Sequence, residues 1–439
     1  MNQTAIHTKR HFLPALLGAT LLPCAGFAAE SQTAPARVED LGASLFVGEA
    51  VQDSDLSVGR PLEEPMVIIP TDNPAQRGKW QITPHLEVTG TYDDNIFIQR
   101  NNLVEDYVLT FAPGLALGFW NSVEARERFM NYRRGLTVVD RSQGTFLALD
   151  YTAALLGFAR TSSLNTVNHD ARFDARWERE KLALGASFRF ETKLEPNADP
   201  GRLITRETLS AGLTSRYQLS QKFALELEMA HRTNRPSGLA RTAEWRGEGF
   251  IDYLATARMR IGLGAAGGLL EVEPGFDQTF ERFLVKANYA LSEKVDAEFR
   301  GGVEFRQSIQ PGDRTYPIFD FRARWTPVAG TRVGINAFRN VNKSIFQPER
   351  DFTLTGFALT FERALWSGVL VTIDGGYQVA GYIGESRTDD YFFIRPAIAC
   401  VLGNWGTIGV SYQHGENASS RALSSFENNQ VSVEVAVKY

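Results

Sequence analysis

The sequence predicts an all-β protein: a transmembrane, antiparallel, up-and-down β-barrel of about eighteen strands. From Trp80 onward, apolar and polar residues alternate almost everywhere. Tight turns alternate with longer polar loops, and the chain ends on an alternating strand, VSVEVAVKY. Side chains on a β-strand point alternately to its two faces, so each such strand has one apolar and one polar face. In a barrel within a bilayer, the apolar faces contact lipid and the polar faces point into the interior.

The alternation is clearest in DYVLTFAPGLALGF (106–119), KLALGASFRFE (181–191), FALELEMA (223–230) and VDAEFRGGVEFR (295–306). Each segment is close to the length of about ten residues that a tilted membrane strand needs. The predicted strands begin near residues 80, 106, 145, 166, 181, 205, 222, 243, 257, 279, 293, 315, 330, 350, 367, 389, 405 and 427.

The connections between these strands alternate in length. Tight turns are predicted at EREK (178–181), LSQK (219–222), SEK (292–294), PVAG (327–330) and LGNW (402–405). Longer polar loops lie between them: LEPNADPGR (194–202), RNVNKSIFQPER (339–350), GYIGESRTDD (381–390) and GENASSRALSSF (415–426). Short turns at one rim and long loops at the other are typical of outer-membrane barrels. A soluble β-sandwich is the competing architecture, but its turns would not alternate so regularly.

The tryptophans support the membrane interpretation. When the first strand is taken to rise from the periplasm, most of them fall at the short-turn rim: Trp80, Trp120, Trp177, Trp325, Trp366 and Trp405. Trp245 falls at the long-loop end. Tryptophan prefers the headgroup level of a bilayer, where its ring is in contact with apolar groups and its N–H with water.

The C-terminal strand has one apolar face, which we expect to contact lipid: Val431, Val433, Val435, Val437 and Tyr439. Its polar face, with Ser432, Glu434 and Lys438, would point into the lumen. Because no strand edge can stay open in lipid, this strand must pair with the first one, near residues 80–92. A terminal alternating strand that ends in an aromatic residue also resembles the signal read by the barrel-assembly machinery, an expected partner.

The N-terminus predicts export. Lys9, Arg10 and His11 precede the apolar run FLPALLGATLLP, and small residues follow. This is the order of a signal peptide, here 1–28 with cleavage after Ala28. Residues 29–79 are rich in Glu, Asp and Pro and predict a mostly disordered periplasmic tail; a plug that threads into the lumen is the alternative. The barrel would then comprise 80–439, in the outer membrane of a Gram-negative bacterium.

Composition and motifs exclude several functions. The net charge of -5 gives no basic footprint for nucleic acid. No nucleophile elbow, P-loop, HExxH or dinucleotide fingerprint is present, so no enzyme and no cofactor are predicted. The histidines outside the N-terminal segment, His85, His169, His231 and His414, are isolated in sequence, which leaves an outer-membrane protease or phospholipase as an open minor alternative.

Two acidic clusters lie at the long-loop rim, one at Asp93, Asp94 and Asn95 and the other at Asp389 and Asp390. Oxygen-rich loops can bind calcium, whereas Asp and Asn also favour turns. We favour the turn interpretation and predict no metal.

The start of the predicted barrel carries a family resemblance. PHLEVTGTYDDNIF (84–97), an acidic loop and YVLTFAPGLAL (107–117) resemble the β-barrel porin 2 family, also called OmpL-like. The family's members are secreted Gram-negative barrels, some of them associated with exopolysaccharide systems. The segment 120–143 departs from this pattern, because it is long for a periplasmic turn and carries five arginines. The resemblance implies the fold more strongly than the function.

Charged residues on the predicted inward faces are the strongest functional signal. On the lipid face, an arginine or lysine near the midplane would cost about 2–4 kcal/mol. The inward-facing charges either brace the barrel wall or line a path for solutes. They are Arg172, Arg176, Arg189, Glu226, Glu228, Arg246, Arg300, Glu304, Arg322 and Arg324. The expected function is a porin for small hydrophilic solutes, anionic ones included. The alternative is a polysaccharide-export or surface-assembly barrel that works with periplasmic partners, with 120–143 as a docking element.

Overall fold

The computed structural model describes residues 80–120, 145–308, 312–366, 368–403 and 405–438. They form one closed antiparallel sheet of eighteen strands in sequential order. The strands are β1 Trp80–Asp93, β2 Asp106–Trp120, β3 Phe146–Phe158, β4 Thr166–Arg179, β5 Leu182–Asn197, β6 Arg202–Gln218, β7 Phe223–Pro236, β8 Arg241–Thr256, β9 Met259–Glu273, β10 Gln278–Ser292, β11 Val295–Ser308, β12 Arg314–Trp325, β13 Thr331–Lys343, β14 Asp351–Trp366, β15 Val369–Tyr382, β16 Thr388–Leu402, β17 Gly406–Ser419 and β18 Phe426–Lys438.

The predicted architecture is confirmed, since every strand begins within three residues of its predicted start. Two single 3₁₀ turns, Ser162–Leu164 and Ala422–Ser424, interrupt the loops at one rim. Among the described residues, no helix is long and apolar enough to cross a membrane. The signal peptide (1–28), the tail or plug (29–79) and the segment 120–143, except for the main chain of Trp120, lie outside the described residues and stay predictions.

The barrel closes where the sequence requires it. Strand β1 pairs with β2 on one side and with β18 on the other, in a register that runs from His85 opposite Lys438 to Asp93 opposite Gln430. On β18, Val433 is 47% exposed on the outside, whereas Ala436 is buried inside. The valines at 431, 433, 435 and 437 therefore share the outer face. Tyr439 lies outside the described residues.

The two rims differ in their connections. One rim has turns as short as residues 180–181, 257–258 and 293–294. The opposite rim has loops as long as 94–105 and 344–350. Several loops predicted at this second rim are shorter than expected, because the strands continue into them. Strand β5 runs to Asn197 and β17 to Ser419, so LEPNADPGR and GENASSRALSSF are partly strand.

The outer surface carries an apolar belt. Met229, Leu263 and Phe283 are 63%, 66% and 62% exposed, although each lies within a strand. Exposed tryptophans stand at the short-turn rim, at positions 80, 177, 325, 366 and 405, while exposed Trp245 stands toward the other rim. A soluble monomer rarely exposes an apolar patch of more than a few hundred Å². The fold is therefore a transmembrane β-barrel.

Candidate functional site: barrel interior and loop cap

The inner wall of β4 and β5 carries a group of paired charges. Asp170 accepts ion-pair contacts from Arg172 at 2.8 Å and from Arg189 at 3.2 Å. Arg189 also lies 3.3 Å from Glu191, and Arg176 lies 3.2 Å from Glu178. Because these pairs link neighbouring strands and neighbouring inward positions, they brace the wall.

A second group crosses strand β9. Lys286 on β10 pairs with Glu226 on β7 and lies 3.1 Å from Asp252 on β8, and Glu226 also pairs with Arg216 at 2.7 Å. The lysine reaches this far because β9 presents Gly262 to the interior. A Cβ there would lie 2.4 Å from Asp252 Oδ1 and 2.7 Å from Lys286 Cε. The glycine therefore makes room for the crossing side chain.

The group continues toward the long-loop rim. Arg246 donates to Glu228 at 2.7 Å, and Arg300 on β11 pairs with Glu248 on β8. Arg282 and Arg306 lie 2.7 and 2.8 Å from Glu304, whose side chain is fully buried. Replacing Glu304 would take this partner from both arginines, and breaking a buried ion pair in this way costs about 3–5 kcal/mol.

The neighbouring strands β11 and β12 carry the remaining predicted charges. Arg324 lies 2.6 Å from Asp296, and Arg322 lies 2.9 Å from Asp320. All ten sequence-predicted residues thus lie on the inner face, and each has an ion-pair partner. Their role as the lining of a conducting path stays a prediction.

The isolated histidines do not form a catalytic arrangement. His85 Nε2 lies 3.1 Å from the Thr152 hydroxyl on the inner face. His169 contacts a tyrosine hydroxyl, and His231 contacts a backbone carbonyl. His414 contacts the side-chain amide of an asparagine. Within the described part of the chain, no carboxylate hydrogen-bonds any of the four.

The first acidic cluster fastens the seam between β1 and β18. The Asn95 backbone N–H donates to Asp93 at 2.8 Å, and the Asn428 amide donates to Asp93 at 2.6 Å. Asp94 accepts from the backbone N–H and the side chain of Asn429, at 2.7 and 2.8 Å. These contacts favour the turn interpretation. No group of three or more metal-ligating side chains occurs in the described ranges.

The loops at the long-loop rim meet across the barrel mouth, and Asp199 lies at their centre. Asp199 belongs to the β5–β6 loop and is 2% exposed. From the β13–β14 loop it accepts bonds from the Ser344 hydroxyl at 2.9 Å and from the backbone N–H groups of Ile345 and Phe346 at 2.8 and 3.1 Å. The Tyr382 hydroxyl donates at 2.7 Å. Strands β7 to β12 separate these two loops, so the contact spans the mouth.

Further contacts complete this loop cap, which we define as the loops 198–201, 344–350 and 383–387. Arg387 lies 3.6 Å from the Asp199 carboxylate and donates to its backbone carbonyl at 3.0 Å. Burial raises the pKa of the Asp199 carboxyl, while the Tyr382 hydroxyl and the Phe346 N–H lower it. Beneath the cap lies an apolar cluster of Ile98, Ala198, Phe338, Phe352, Leu354, Ala380, Tyr382, Tyr391 and Phe426.

The sequence did not identify the loop cap. The stretch LEPNADPGR showed only turn-forming residues, and nothing in it marks Asp199 as buried. Its partners lie 145 to 188 residues away in the chain. Contacts at such separations depend on the closure of the barrel, which brings distant hairpins to one rim.

Comparison with known proteins gives a likeness of fold. No model of a known protein family matches the chain, and no curated protein matches it. The chain is similar to OccK11 (OpdR) of Pseudomonas aeruginosa, at 12% identity over 82% of this chain and 96% of that one, with a TM-score of 0.43. It is also similar to OccAB4 of Acinetobacter baumannii, at 9% identity over 84% and 100% of the two chains, with a TM-score of 0.44.

A third solved structure is a bacterial polysaccharide outer membrane secretin. The identity is 8%, over 81% of this chain and 98% of that one, with a TM-score of 0.33. At these identities and TM-scores, the likenesses assign the chain no substrate and no partner. The export alternative stays a prediction, because its docking segment lies outside the described residues.

Proposed function

We propose that this chain is an outer-membrane channel of a Gram-negative bacterium, for passive passage of small hydrophilic solutes, anionic ones included. One observation carries the proposal: a closed sheet of eighteen strands has an apolar outer belt and a charged inner face. A barrel of this size has room for an aqueous path when loops and plugs do not fill it. The proposed function is passive passage and not catalysis.

The proposed channel has its barrier at the long-loop mouth. The loop cap joins two nearly opposite hairpins through Asp199, and an apolar cluster lies beneath it. The paired charges further along the barrel leave little uncompensated field, so we expect weak ion selectivity there. Passage then depends on how often the loop cap opens.

The proposal extends to family and partners. The β-barrel porin 2 resemblance rests on Tyr92-Asp93-Asp94-Asn95. Two residues of this motif, Asp93 and Asp94, accept hydrogen bonds across the seam between β1 and β18, which is a structural role for them. The expected partners are outer-membrane lipid at the belt and the barrel-assembly machinery at residues 431–439. Periplasmic polysaccharide-export components would be partners only under the export alternative.

Planar-bilayer recording of the refolded protein tests the channel. We expect discrete, weakly selective conductance steps, rare in the wild type because the loop cap spans the mouth. Deleting Val431–Tyr439 gives a matched control that cannot close the barrel. Silence of the folded wild type and of an Asp199→Asn variant with a weakened cap would contradict the proposal.

A further inference from the structure

A cleft of about 730 Å³ lies among the loops at the long-loop rim. Its lining is largely apolar and includes Leu239, Ile345, Phe346, Pro348 and Leu423. Leu423 is 79% exposed, so the cleft opens to solvent. Small-molecule sites typically occupy about 300–1,000 Å³ and combine apolar walls with a few polar groups. The cleft has the size and the apolar walls of such a site.

The polar groups of the cleft include two guanidinium groups, those of Arg202 and Arg421. In the described part of the chain, neither lies within ion-pair distance of a carboxylate, unlike the ten charges of the inner wall. The Arg421 guanidinium lies 4.5 Å from the centroid of the Phe346 ring, a cation–π contact that leaves its charge uncompensated. The electrostatic complement of this cleft is therefore an anion.

We infer that the cleft is the external docking site of a small amphipathic carboxylate, which the channel takes up. Arg202 and Arg421 would hold the carboxylate, since guanidinium and carboxylate form strong charge-assisted hydrogen bonds. An aliphatic body would pack on Leu239, Phe346 and Leu423. The inference rests on the proposed function and adds the solute class and its first contact.

The cleft adjoins the barrier. Ile345 and Phe346 belong to its lining, and their backbone N–H groups donate to Asp199. Pro200 and Gly201, which follow Asp199 in the chain, line it as well. A docked solute thus contacts both loop segments whose junction spans the mouth. This placement is that of an entry site, where a solute waits at the barrier it must pass.

Calorimetric titration of the detergent-folded protein tests the docking site. Three probes separate its parts: hexanoate, the uncharged hexanamide and the short carboxylate acetate, each corrected for empty micelles. We expect hexanoate to bind more tightly than either of the others. The variant Arg202→Gln/Arg421→Gln should bind hexanoate at least about tenfold more weakly. A matched control, Arg179→Gln/Arg258→Gln, removes two exposed arginines at the short-turn rim and should bind as the wild type does.

Several outcomes would overturn the docking site: no hexanoate binding by the wild type, equal binding of hexanamide, or equal loss in both double variants. Heat-modifiable migration on gels verifies that each variant is folded. Calorimetry measures binding and does not depend on conduction. The docking site and the channel are therefore tested independently. Hexanoate binding without any conductance would reject the channel and keep the site, whereas conductance without hexanoate binding would reject the site.

Discussion

Replacing Asp199 by asparagine should weaken the contact that spans the barrel mouth. Asparagine has nearly the same shape, so the loops keep their packing. One carboxylate oxygen becomes an NH₂ group, which cannot accept. Oδ2 accepts the backbone N–H groups of Ile345 and Phe346, while Oδ1 accepts the Tyr382 hydroxyl. If the NH₂ group takes the place of Oδ2, it faces the two backbone N–H donors. If it takes the place of Oδ1, the Tyr382 hydroxyl loses its acceptor and Arg387 loses its charged partner at this position.

The magnitude follows from the number of bonds lost. Hydrogen bonds to a charged group contribute about 1.5–3 kcal/mol each, and their contributions do not simply add. Asp199→Asn loses one or two of them together with the carboxylate charge, while Arg387 keeps its other partner, Asp389. We therefore expect the closed cap to lose about 2–4 kcal/mol, which raises the ratio of open to closed channels about 30- to 1,000-fold.

Single-channel recording in planar bilayers measures this ratio as open probability. Tyr382→Phe removes one donor and should raise the open probability less, by about tenfold. Asp313→Asn is the matched control, because Asp313 is exposed in the β11–β12 loop at the same rim. An Asp199→Asn protein that is folded and inserted, yet opens no more often than wild type and control, would refute the role given to Asp199.

Three further predictions concern the rest of the barrel. Deleting Val431–Tyr439 removes most of the β1–β18 register and should abolish insertion; normal amounts of heat-modifiable protein in the outer membrane would show otherwise. Arg322→Glu/Arg324→Glu should still insert and move the reversal potential in a salt gradient toward cations, and unchanged selectivity would place both residues off the conducting path. Deleting 29–78 should leave the barrel folded, whereas a large conductance increase would favour the plug over the tail.

The fold was predictable because each strand carries its own signal. Period-two alternation fixes both a strand and its faces, and closure of the sheet follows from the absence of edges in lipid. Strand ends were less predictable. Strand β6 begins at Arg202 and not near residue 205, because it extends above the membrane, where polar residues no longer alternate with apolar ones.

The sequence predicts which side chains point into the barrel, but it does not predict which of them form ion pairs with one another. Arg322 and Arg324 could be assigned to the inner face because they alternate with the apolar residues Phe321, Ala323 and Trp325. The ion pair between Lys286 and Glu226 could not be predicted from the sequence. It forms only because Gly262, on the intervening strand β9, has no side chain. The burial of Asp199 could not be predicted either, because the residues that bury it belong to other hairpins.

Under the proposed function, the positions of paired and unpaired charges indicate where solutes are selected. Along the inner wall, the ten predicted charges all have partners, so we expect a passing ion to meet neither a strong attraction nor a strong barrier. At the outer mouth, Arg202 and Arg421 lie beside apolar side chains, without carboxylates within ion-pair distance in the described residues. Under the proposed function, discrimination between solutes would therefore occur before the lumen is reached. Substitutions in the cleft should change which solutes enter, while substitutions in the wall should mainly change barrel stability and the small ionic preference.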